Sequence, residues 1–73
     1  MTDPVEIRIA RWVREHRGSL GWTVDDLVAV AGVSPAVVYA IESGAGTTRL
    51  ANVAAVIESL GGKLGVLDGR PSS

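Results

Sequence analysis

Few residues in this chain could carry covalent chemistry, and their spacing does not gather them. Asp25, Asp26, Glu42 and Glu58 are the acids a general acid–base mechanism would draw on, yet helix starts and helix surfaces account for each of them. His16 is the single histidine and there is no cysteine, so neither a multi-ligand metal site nor a thiolate or disulfide is expected. No nucleophile–base pairing and no phosphate-cradling glycine loop is visible. A chain of 73 residues is also too short for a sizeable pocket. The expectation is a protein with no catalytic residues, no metal and no cofactor. What remains is hydrogen bonding and charge. Arg8, Arg11, Arg14 and Arg17 recur at every third position, and Thr47, Thr48 and Arg49 form a second polar group. Ser34 and Tyr39 lie between them.

The elements that must position these groups can be read from local signals. Thr23 to Gly44 reads as two short helices joined by a tight turn, about 24–31 and about 35–43. Thr23 is an N-cap type, and Asp26 three residues on can close a capping box with it. Leu27, Val28, Val30 and Ala31 supply apolar positions, and Gly32 can adopt the left-handed conformation that ends a helix. Val33 should plug the corner. Ser34 is a second N-cap with Pro35 at the first helical position, where its missing N–H costs nothing. Val37, Val38, Ile41 and Glu42 follow, and Gly44 closes the unit. Cap, helix, glycine, cap, helix, glycine is the sequence form of a helix-turn-helix.

Around this unit, Asp3 as N-cap and Pro4 at the first position open an earlier helix. Its buried face is expected to be Val5, Ile9, Trp12, Val13, His16 and Leu20, with Gly21 as its C-cap. Trp22, just before the next cap, should staple onto the core. A last helix over about 49–60 is expected to be capped by Thr47 or Thr48. Leu50, Val53, Ala54, Val56, Ile57 and Leu60 should face inward, and Gly61 and Gly62 should stop it. Lys63 to Leu67 has strand character and would need a partner, the same segment of a second chain being the simplest. The expected organisation is a helical domain over 1–62, a dimerising strand over 63–67 and a disordered tail over 68–73. The fold class is all-α, a bundle of four to five helices with one short C-terminal β-strand.

Composition sets limits on the partners. The chain carries 7 Lys+Arg against 8 Asp+Glu, so it lacks the strongly basic balance of many nucleic-acid binders. The arginines concentrate in the first quarter, and phosphates respond to local charge within about 8–10 Å. Apolar residues make up 47%, enough in so small a domain to leave apolar surface over for a partner. No apolar run reaches the roughly 20 residues of a membrane span and no signal peptide is visible, so a cytoplasmic location without membrane association is expected.

At this point the residues resemble a known family, the phage-repressor/Cro type of helix-turn-helix, or XRE family. The likeness is carried by V-R-E-x-R-x-x-x-G-x-T-x-x-x-L from Val13 to Leu27, by A-G-V-S-x-x-x-V-Y-x-I-E-x-G from Ala31 to Gly44, and by a final helix ending E-S-L-G-G. It covers roughly residues 5–61. The resemblance implies a small dimeric regulator that binds double-stranded DNA, with Arg14, Thr23, Ser34, Pro35, Ala36, Val37, Tyr39, Ala40, Thr47, Thr48 and Arg49 toward the duplex. It implies a structural ion pair between Arg17 and Glu42. The added strand is similar to that of antitoxin-like members, which implies dimerisation through Lys63, Leu64, Val66 and Leu67.

The chain departs from the family's usual pattern on the groove-facing side. Gln, Arg, Ser or Thr commonly occupy several positions where this chain has Pro35, Ala36 and Ala40, and Val24 replaces a common glutamine. Three outcomes are open on the residues. Ala36 or Val37 could touch thymine methyls while the Tyr39 hydroxyl bonds a base or phosphate. Ser34, Thr47, Thr48 and Arg49 could hold phosphates while DNA shape is read. Alternatively, the domain is an interaction module or antitoxin whose main partner is a toxin or other regulatory protein.

Overall fold

A computed structural model describes residues 3–64 and contains four helices: α1 (Val5–Leu20), α2 (Val24–Ala31), α3 (Pro35–Glu42) and α4 (Leu50–Ser59). The fold is all-α. Among the described residues there is no strand and no fifth helix. Lys63 and Leu64 have irregular backbone, and Leu64 packs on the domain's own core. Val66, Leu67 and the expected tail over 68–73 lie outside the described residues.

α3 is the hub, touching α1, α2 and α4, while α2 also lies on α4. Each helix contributes to one shared interior. Val13 from α1, Leu27 from α2, Val38 from α3 and Val56 from α4 are fully enclosed. Ile41, Ile57 and Leu60 complete the cluster. Removing such a side chain from water stabilises the fold by about 1.5–3 kcal/mol each. Trp22 packs against this cluster from the α1–α2 corner. Trp12 stacks on His16 with ring centroids 3.8 Å apart, and His16 Nδ1 donates to the Trp12 carbonyl at 2.8 Å.

Several expectations about α1 and α4 are corrected. Pro4 is the N-cap of α1, not its first residue, and the Asp3 side chain makes no cap. Asp3 accepts instead from Arg11 at 2.7 Å, a pairing eight residues away that outcompetes the local one. Val5 and Leu20 at the ends of the helix are exposed. α1 rests mainly on α3, a helix half as long, so the residues at its two ends are incompletely covered. Ala10 is buried in their place, and a small residue is what α1 and α3 need to come close. Gly44 shows how close: at φ +73° it is held in the left-handed region, and a Cβ there would fall 2.6 Å from Ile7 Cδ1. Neither Thr47 nor Thr48 caps α4. Arg49 occupies the cap position without a side-chain bond, and Leu50 is 65% exposed, not inward.

Candidate nucleic-acid interface

The outward strip of α3 is set up by the local chemistry of the α2–α3 junction. At the start of α2, Thr23 Oγ1 accepts from the Asp26 N–H at 3.1 Å, and Asp26 Oδ2 accepts from the Thr23 N–H at 2.9 Å. This closed capping box fixes where α2 begins, and the exposed carboxylates of Asp25 and Asp26 suit the positive end of the helix dipole. Gly32 ends α2 at φ +71° and donates its N–H to the Val28 carbonyl at 2.9 Å. Val33 packs partly on the core, and Ser34 Oγ then accepts from the Val37 N–H at 3.3 Å. Pro35 follows as the first residue of α3. Between α2 and α3 the chain turns through 114°, within the range of helix-turn-helix units.

With Val38 and Ile41 buried, helical geometry decides what α3 turns outward. Ser34, Pro35 and Ala36 are exposed and Tyr39 is 60% exposed, while Val37 and Ala40 are half-buried. Positions 35, 36, 39 and 40 form a single strip, since residues three and four apart are neighbours on a helix. The strip is uncharged. Glu42, the single charged residue of α3, is withdrawn from it by an ion pair.

That ion pair ties three elements together. Arg17 Nε donates to Glu42 Oε2 at 2.6 Å and Nη2 donates to Oε1 at 3.0 Å, a two-pronged fork on one carboxylate. Nη1 donates to the Trp22 carbonyl at 3.0 Å. One guanidinium thus joins the last turn of α1, the loop before α2 and the end of α3. The Arg17 side chain is 22% exposed and that of Glu42 11%. The hydrogen bond that Arg17 donates to Glu42 is the main cause that holds its guanidinium above its ordinary, already high value, outweighing the opposing effect of burial. The contact to Trp22 has no counterpart in sequence spacing, because a backbone acceptor is invisible there.

The remaining polar candidates lie outside α3. Arg14 is exposed on α1 one turn before Arg17. Thr23 and Ser34 use their oxygens as cap acceptors, which leaves each hydroxyl hydrogen free to donate outward. Thr47 and Arg49 are exposed in the α3–α4 connection. Thr48 is half-buried and lines an apolar groove of about 260 Å³ with Val5, Ile9, Ile41, Leu50 and Val53. Among the described residues, no single helix is long and apolar enough to cross a membrane.

Among the known families, the helix-turn-helix family model matches residues 13–67, about three quarters of the chain, and spans α2, the turn and α3 in full. No curated protein matches the chain.

Proposed function

The chain belongs to the helix-turn-helix family of Cro/XRE type, a family of DNA-binding regulators, and on that premise we propose that it acts as a small dimeric transcriptional regulator. In this reading the start of α3 enters the major groove and α2 crosses the DNA backbone. The supporting observation is the outward strip of Pro35, Ala36, Tyr39 and Ala40, held at 114° to α2 by caps at both ends of the turn. Arg14, Thr23, Ser34, Thr47, Thr48 and Arg49 are the proposed phosphate donors around it, and Val37 contributes apolar contact. The Arg17–Glu42 pair keeps α1 and α3 in register, so that the strip meets a duplex as a rigid unit.

Dimerisation is proposed through Lys63, Leu64, Val66 and Leu67 together with exposed apolar surface on α1 and α4. Val5 is 63% exposed and Leu50 65% exposed, and both line the groove together with Ile9 and Val53. A dimer would set two copies of α3 about 34 Å apart, one helical turn of DNA, and so read a palindrome.

The test is a titration of the purified chain against genomic DNA fragments at two salt concentrations. Binding that is tight at low salt and falls steeply with added salt supports the reading, because neutralised phosphates release counterions. Failure to retain any fragment at low salt would refute it.

A further inference from the structure

The strip of α3 that the domain turns outward is poor in groups that recognise base edges by hydrogen bonds. Sequence is read in the major groove in two ways: by matched donors and acceptors, best supplied by Arg, Lys, Asn and Gln, and by apolar contact with the C5-methyl group of thymine. Pro35, Ala36, Val37 and Ala40 have no hydrogen-bonding atom in their side chains. Of the two serines that bound the helix, Ser43 spends its hydroxyl hydrogen on the helix, while Ser34 caps it through oxygen and keeps its hydrogen for the phosphate contact proposed above. Ser34 Oγ accepts from the Val37 N–H at 3.3 Å, and Ser43 Oγ donates to the Ala40 carbonyl at 2.9 Å. Glu42 is occupied by Arg17 through both carboxylate oxygens. Tyr39 brings one hydroxyl on a ring that is 60% exposed.

Resting on the DNA-binding reading above, we propose that this chain selects its site chiefly by C5-methyl groups in the major groove, with Ala36 and Ala40 as the methyl-reading residues. These two positions lie about one helical turn apart on the same side, roughly 6 Å along the axis, so they meet two nearby base pairs along the groove floor. Alanine projects a single methyl, which lets the helix backbone approach closely and makes the contact depend on a methyl coming back from the DNA. Tyr39, between them on the strip, adds one hydrogen bond to a base or phosphate. This mode has a specific chemical consequence. Thymine and 5-methylcytosine present the same methyl at the same place, and differ in the neighbouring group, an acceptor O4 or a donor N4–H₂. A strip without hydrogen-bonding side chains at Ala36 and Ala40 tolerates that exchange, so the bound sequence should keep its affinity when a contacted thymine–adenine pair becomes a 5-methylcytosine–guanine pair.

The experiment uses the full chain and short duplexes of random sequence, selected for retention at moderate salt. The enriched sequence is then synthesised with thymine, with 2′-deoxyuridine in its place, and with 5-methylcytosine or unmethylated cytosine at the contacted thymines. Burial of one methyl is worth roughly fourfold in affinity, so losing several should weaken the deoxyuridine duplex at least tenfold. The slope of affinity against salt should not change, because the phosphate contacts are the same. The 5-methylcytosine duplex should bind within a few-fold of the thymine duplex and well above the unmethylated one. Ala36→Gly should shrink the thymine-to-deoxyuridine ratio, which a purely shape-based preference for the thymine duplex would leave intact. Equal binding of the thymine and deoxyuridine duplexes overturns this inference alone. Retention of no duplex at low salt overturns both the inference and the reading beneath it.

Discussion

Replacing Glu42 by alanine removes both acceptors of the Arg17 fork and leaves a guanidinium that is only 22% exposed without its counter-charge. Breaking a fully buried pair in this way costs about 3–5 kcal/mol. Two features lower the figure here. The pair retains some solvent, and Arg17 keeps its bond to the Trp22 carbonyl. A loss of about 2–4 kcal/mol is expected, against a total of only about 4–11 kcal/mol for a domain of this length. At about 4–8 °C per kcal/mol, the melting temperature should fall by roughly 8–32 °C. Urea unfolding followed by tryptophan fluorescence and by far-ultraviolet circular dichroism measures the loss. Its pH dependence is also fixed in sign. A guanidinium raised above its unfolded value contributes stability that is complete below that value and is lost only as pH climbs beyond it. The Arg17 side of the pair therefore makes no difference between about pH 6 and pH 9. A second variant separates charge from packing: Arg17→Met combined with Glu42→Leu removes both charges and should recover most of the loss. A midpoint for Glu42→Ala within about 3 °C of the parent would refute the assignment of this pair as the clamp between α1 and α3.

Other perturbations test separate parts of the structure. Gly44→Ala should cost about 2–4 kcal/mol, because it combines the left-handed backbone with the collision on Ile7, whereas Gly21→Ala, at φ +70° in open space, should cost only about 1–2 kcal/mol. Comparable losses for the two in urea titrations would mean that Ile7 moves aside freely. Thr23→Ala opens the capping box and should destabilise the domain by about 1 kcal/mol, while Thr23→Ser should change little. Arg49→Ala should leave stability unchanged, weaken DNA binding evenly across sequences and reduce the salt slope by about one; an unchanged slope would remove Arg49 from the phosphate contacts. Truncation after Gly62 should convert a dimer to monomer in a solution-mass measurement, and a truncated chain that stays dimeric would shift the interface to the α1–α4 groove.

The junction that matters most was open to reading because its causes are local. Thr23 with Asp26, Gly32, and Ser34 with Pro35 each act on atoms at most four residues away, so their order in the chain is enough to fix two helices and the turn between them. The same reasoning failed where a distant group competed. Asp3 had the right chemistry for a cap, but Arg11 drew its carboxylate away. Thr47 and Thr48 also had the right chemistry for the start of α4, but Arg49 is its N-cap, without a side-chain bond, and no competing partner among the described residues accounts for the shift.

The chain by itself therefore determined the four helices, the tight turn and the uncharged character of the α3 strip, since these follow from residue type and short-range spacing. Only the tertiary structure decided which apolar residues are covered. Val5, Leu20 and Leu50 obey the helical period yet lie open, because a period describes one helix and coverage depends on where the neighbouring helices end. It also brought Arg17 within reach of Glu42 and of the Trp22 carbonyl at once, joining points of the chain that no local rule connects.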